Sequence, residues 1–210
     1  IASLDGKYVY LGTETNFWMY RTSDDAMIKK FSDVGESAVF PFTVDSRNRL
    51  AFLCLYKHVG FDVADLRSGE VLHRVFAHDS ASPDRAIPHR AHGAGLTPDE
   101  KELWISDQDG QRLFVFDASQ MPPRQTDEIH LSRGGHGWVT FSLDGKYAWS
   151  HTPDVIDART KKVIATLKDD KGIPFCSSKF IEIHFENGKV VAMGDQFGLG
   201  RAWHGESAAK

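Results

Sequence analysis

One short pattern occurs five times in the chain: an acidic or amide residue, a small or polar residue, then Lys or Arg, followed by a strand-forming run. The five are Asp5-Gly6-Lys7, Asp45-Ser46-Arg47, Asp99-Glu100-Lys101, Asp144-Gly145-Lys146 and Asn187-Gly188-Lys189, and their first residues fall 40, 54, 45 and 43 positions apart. Asp and Asn tolerate left-handed backbone and bond their own chain two residues on, and Gly takes positive φ freely, so each predicts the tip of a hairpin. A self-similar period of this length is the signature of a propeller in which each repeat is one four-stranded blade.

The strands follow each tip in a fixed order. KYVYLGT, LAFLCLY, ELWISD, YAWSH and VVAMGD read as second strands, and FWMYRT, GFDVAD, LFVFDA and DVIDA as third strands, three of them closing at Asp65, Asp117 and Asp157. AMIKKF, EVLHRVF, TDEIHL and KVIATL carry the Lys, Arg and His that blunt an exposed outermost edge. VFPFTV, GAGLT, GWVTFS and FIEIHF, ahead of the tips, read as innermost strands whose small or apolar residues can crowd an axis. No segment sustains a helical period over three turns. The expected fold is all-β, a β-propeller of four-stranded blades with four recognisable blades and a partial fifth, spanning about 1–33, 38–77, 92–132, 136–168 and 178–210. The first repeat lacks an innermost strand, since only Ile1-Ala2 precede its tip segment.

Composition narrows the partners. The 210 residues are 41% hydrophobic and 26% charged with a net charge of −4, and no run of Lys or Arg exceeds two, so the basic footprint of a nucleic-acid binder is missing. The longest apolar runs fall far short of the roughly 20 residues of a transmembrane helix, so no membrane-spanning segment is expected. Cys54 and Cys176 lie in different repeats and read as two buried small hydrophobes. The compartment is not readable from composition.

SLDGKYVYLGT, LTPDEKELWISD with LFVFDAS, and FSLDGKYAWSH with DVIDARTKKVIATL together make the chain resemble the YVTN family of β-propellers, the YncE-like group of bacterial surface and periplasmic proteins. The likeness covers essentially the whole chain. It implies a propeller that closes seven blades, of which this chain would be part, and a periplasmic or extracellular location. It also implies a binding or scaffolding role, with a protein partner or another propeller segment.

Function is read from the connections that enter the innermost strands, where ligands of propellers gather. The 54-residue interval adds AHDSASPDRAIPHRAHG at 77–93, a long polar loop of the kind onto which function is grafted. His89 and His92 lie three apart before GAGLT, His136 recurs one blade later beside Trp138, and His184 lies within FIEIHF. His89, His92, His136 and Trp138 are the candidate ligand-binding residues. Two readings follow. In the first the protein is a non-catalytic binding or scaffolding module without a cofactor. In the second, His89, His92 and His136 hold one divalent transition metal for a hydrolase or lyase, with Asp79 or Asp84 as general base. Asp107, Asp109, Asp154 and Asp195 are further acid–base candidates, the first two read as solvated turn residues. No G-x-S-x-G elbow or phosphate loop is present. Trp18, Trp104, Trp149 and Trp203 read as blade-to-blade packing.

Overall fold

The computed structural model describes all residues except 14, 15, 40, 136, 178, 195–201 and 204–210, together with the main chain only of 37, 202 and 203. Its first three strands, β1 (Tyr8–Gly12), β2 (Asn16–Arg21) and β3 (Met27–Ser32), form a three-stranded sheet to which an Ala2–Val9 bridge adds a trace of the missing inner strand. The second sheet is β4 (Phe42–Val44), β5 (Leu50–Cys54), β6 (Gly60–Asp65) and β7 (Val71–Phe76), in that order. After β8 (His78–Asp79) and β9 (Ser82–Ala86) come the four strands of the third sheet, β10 (Ala91–Leu96), β11 (Glu102–Asp107), β12 (Arg112–Asp117) and β13 (Arg124–His130). The fourth sheet is β14 (Thr140–Phe141), β15 (Tyr147–Trp149), β16 (Asp154–Asp157) and β17 (Lys162–Thr166). The last, β18 (Ile183–Glu186), β19 (Lys189–Gly194) and β20 (Ala202–Trp203), has three described strands. Every pairing in these sheets is antiparallel between sequence neighbours. The architecture is an all-β propeller of stacked sheets. The one helical piece among the described residues is a single 3-10 turn at Gly35–Ser37.

The tips fold as their chemistry requires. Asp5, Asp99 and Asp144 each accept the N–H of the residue two on, and Gly6 and Gly145 sit at φ 67° and 70°. The Lys146 ammonium beside Asp144 pushes that carboxyl down to about 2, with the Lys146 N–H and the Ser142 hydroxyl adding to the effect.

What stacks the sheets is the two-residue alternation of their strands. In β5, Ala51 and Leu53 face the first sheet, packing with Tyr10, Phe17 and Phe31. Phe52 and Cys54 face the third sheet, packing with Leu103, Ile105, Phe114 and Phe116. In β11 the alternate residue, Trp104, turns to the fourth sheet and meets Val139, Phe141, Ala148 and Ile156. Its ring stands edge-on to Phe141 at 5.1 Å. Each buried side chain of this size contributes about 1.5–3 kcal/mol by leaving water, so the sheet-to-sheet faces carry the fold. Cys54 belongs to this core, and burial pushes its thiol up to about 12. Cys176, expected buried, is exposed, because it lies in the strandless stretch between β17 and β18.

The insertion differs from the expected loop. It is a two-stranded hairpin, β8–β9, and it is fastened to the third sheet: the Gln125 side chain accepts the His78 N–H and donates to the His78 carbonyl, both at 2.9 Å.

Candidate functional site

Because strands alternate in direction, all tips lie on one edge of the stack. The turns after the second strands and the connections between sheets lie on the other, which we call the mouth face. His89 and His92, chosen from the connection into the third sheet, therefore belong to the mouth face.

His89, at the end of the insertion, places Nδ1 3.1 Å from Oδ1 and 3.3 Å from Oδ2 of Asp107. Among the described residues Asp107 is the one hydrogen-bond partner of His89. Asp107 is fully buried at the end of β11 rather than solvated. The reason is its set of donors: the N–H groups of Asp109 and Gly110 at 3.1 and 2.9 Å and the Arg112 guanidinium at 3.2 Å. Asp109 alone fits the expectation of an exposed turn residue. Arg112 also grips Asp79 of the hairpin at 2.8 Å and Glu128 of β13 at 2.9 Å, while its guanidinium carbon lies 5.2 Å from the Phe114 ring centre. The Ala81 N–H and then Arg112 hold the Asp79 carboxyl below the usual range, which makes it a weak base. Asp84 is exposed on β9.

His92 is buried at a bulge in β10 and meets the ring of Trp138 edge-on at 6.1 Å. Trp138, half-buried just ahead of β14, has the Lys179 ammonium 5.2 Å from its ring centre. The two sheets close on each other here through glycine. A Cβ on Gly93 would overlap the Gly137 carbonyl oxygen, and one on Gly137 would overlap the His151 side chain. So the structure brings His92 and Trp138 together and gives His89 a different partner. His136 and Asp195 lie outside the described residues. His184 is bonded to Glu182 two residues earlier. Among the described residues no group of three or more His, Cys, Asp and Glu side chains is arranged to hold a metal ion. Of the tryptophans read as packing, Trp104 is core and Trp149 stacks on Phe180 at 6.1 Å, Trp18 lies half-buried on the first sheet, and the side chain of Trp203 is outside the described residues.

Two mouth-face residues escaped the sequence reading as structural parts. Asp62 and Asp154, both buried, hold the connections that enter their own sheets: Asp62 accepts the Gly35 N–H and Asp154 the Ser132 N–H, each at 2.8 Å. Arg74 closes the first with two bonds to Asp62 at 2.7 and 2.9 Å, and the Thr152 hydroxyl donates to the second at 2.8 Å. Their signal was present. Each lies three residues before a closing aspartate, Asp65 or Asp157.

On the tip face, a groove of about 400 Å³ runs between the third and fourth sheets. Its charges are largely spent: Lys161 pairs with Glu102, and Asp144 with Lys146.

Comparison with known proteins carries the β-propeller class and not the YVTN family. No family model and no curated protein matches the sequence. Among solved structures, Kuenenia stuttgartiensis hydrazine synthase is similar at 16% identity with a TM-score of 0.64, over 79% of this chain and 47% of that one. A dihydro-heme d1 dehydrogenase, NirN, in complex with DHE, is similar at 14% identity with a TM-score of 0.65, over 91% of this chain and 41% of that one. The chain thus spans less than half the length of either. No helix of the described residues is long and apolar enough to cross a membrane.

Proposed function

We propose that the protein is a non-catalytic propeller module that binds a protein or small ligand at its mouth face, with Trp138, His92 and His89, and from the sequence His136, as contact residues. The observation that supports this reading most is the pairing of His89 with Asp107. A catalytic dyad also joins His to Asp, but there the Asp orients an imidazole that acts on a nucleophile or substrate. Here the Asp is consumed by two turn N–H groups and a guanidinium as well, and the pair reads as a strut that ties the end of the insertion to β11. Trp138 is different: a half-exposed indole flanked by an imidazole and an ammonium is a recognition surface of the aromatic and cationic kind. The periplasmic or extracellular location that the resemblance implies belongs to the same proposal and is read by fractionating source cells.

Native mass spectrometry of the purified chain tests the reading. The expected spectrum carries the chain without a stoichiometric metal, unchanged in this respect by His92→Ala. One metal held per chain and lost in His92→Ala would overturn the proposal and make the mouth a metal-dependent active site.

A further inference from the structure

Two short segments of the mouth face lie against each other between the second and third sheets. One is the turn after β5, residues 55–59, and the other is the end of the connection into β10, residues 86–90. The Val59 N–H donates to the Ile87 carbonyl at 3.0 Å, and the Arg90 guanidinium carbon lies over the Tyr56 ring at 4.9 Å from its centre. Val59 and Ile87 are both buried in the core that joins these sheets, so the contact is anchored by apolar packing.

What the two segments bring to this seam is one-sided. They read Leu-Tyr-Lys-His-Val and Ala-Ile-Pro-His-Arg, with four groups that are or can become cationic and no Asp or Glu, in a chain whose net charge is −4. The carboxylates that meet them lie deeper and are already bonded. Glu36, its side chain 11% exposed, accepts the Lys57 N–H at 3.1 Å and faces Nδ1 of His58 at 2.8 Å. Asp107, wholly buried, takes Nδ1 of His89 together with two turn N–H groups and Arg112. A carboxylate only accepts, so each imidazole is pinned through an Nδ1–H. Among the described residues neither Nε2 has a hydrogen-bond partner.

Arg90 is held in a like way. Its Nε donates to the Gln108 side chain at 2.9 Å, and its carbon lies over Tyr56, which is 45% exposed. Structural work thus uses the Nε and the cation–π contact, and leaves the two terminal amino groups, paired donors that match the two oxygens of a carboxylate or phosphate. Among the described residues neither Arg90 nor Lys57 forms an ion pair.

We propose that this seam is an oxyanion-binding site, in which the terminal amino groups of Arg90 hold a carboxylate or phosphate group of the ligand, with the Tyr56 hydroxyl, Lys57 and Nε2 of His58 and His89 around it. A neutral Nε2 accepts the proton of a phosphate hydroxyl and a protonated one donates to an oxyanion, so the imidazoles serve either state. The guanidinium is placed in advance by Gln108 and Tyr56, which reduces the ordering that binding would otherwise cost. The inference deepens the reading of the mouth as a binding face, on which it rests, by naming the charge of what is bound.

The test titrates inorganic phosphate and, separately, sodium acetate into the isotope-labelled chain, with sodium chloride exchanged out to hold ionic strength constant, and follows amide and arginine side-chain signals by NMR. Saturable shifts are expected at residues 55–59 and 86–90 and at the Arg90 Nε–H, and the anion that binds tighter tells whether the ligand's group is a carboxylate or a phosphate. Arg90→Gln is expected to weaken binding about tenfold, as the loss of a charge-assisted hydrogen bond predicts. Arg90→Lys, which restores the charge without the fork, is expected to recover part of that loss. Wild type alone decides if a variant fails to fold: shifts that saturate with neither anion, or that saturate at other residues, would overturn the proposal. So would a folded Arg90→Gln that binds as wild type does. A stoichiometric metal lost in His92→Ala would sink the mouth reading while leaving these titrations as they stand, so the two failures are told apart.

Discussion

The connections that enter the second and fourth sheets and the connection that enters the third are fastened by different chemistry. In the first pair the sheet supplies an anion: Asp62 and Asp154 reach out of the third strand and take a backbone N–H from the incoming chain. In the third sheet the corresponding place, three residues before closing Asp117, is Phe114. There the sheet adds a cation to the anion, Asp107, that holds His89. Arg112 takes Asp79 from the inserted hairpin, and the Phe114 ring supports its guanidinium. A short connection is held chiefly by its own amides, with Glu36 adding bonds to the Lys57 N–H and His58 in the first, so one buried carboxylate suffices. A long one brings side chains of its own, and the fastener becomes an ion pair with Glu128 and Asp107 completing the ring around Arg112. The difference teaches that the charged groups of the mouth face mostly hold the chain in place.

Several changes break or sharpen this contrast. Arg112→Ala is expected to have the largest effect, because it leaves Asp107 wholly buried and Glu128 nearly so with their cation gone. Removing one partner of a buried ionic network costs about 3–5 kcal/mol, to be read by urea denaturation against wild type. Asp154→Ala removes the acceptor without stranding a cation, and it leaves the Ser132 N–H and Thr152 hydroxyl without this partner. A loss of about 1–3 kcal/mol is expected by the same measurement. A smaller effect is expected from acid. Asp79 has its carboxyl lowered in the folded state, so its contribution is present above the ordinary carboxylate value and disappears as pH falls from about 4 through the lowered one. Amide exchange in β8–β9, corrected for its intrinsic pH dependence, should therefore lose protection below about pH 4 before the second sheet does.

The tips, the strand order and the propeller class were legible because each depends on local chemistry repeated five times. The direction of the side chains was legible too, since Val9, Leu103 and Ala148 follow their tip lysines at the same distance. The fasteners were not. Asp107 sits in SDQDGQ and looks like a turn residue, but Arg112 across the same hairpin and His89 from the insertion close over it. The insertion looks like a loop because its sequence is polar. Its order comes from Gln125 and Arg112, more than thirty residues away, which no local pattern announces. Of the candidate site, the meeting of His92 with Trp138 follows from their places in adjacent innermost segments, whereas the separation of His89 from that pair depends on tertiary contact.

The most direct measurement is hydrogen exchange with mass spectrometry on wild type, Asp62→Ala, Arg112→Ala and Asp154→Ala under identical conditions. If the mouth-face charges are fasteners, each variant loses protection in the connection its residue holds: around Gly35, across residues 78–89, and around Ser132, respectively. Unchanged protection in all three connections would contradict the account and leave these buried charges to be explained by binding or chemistry at the mouth.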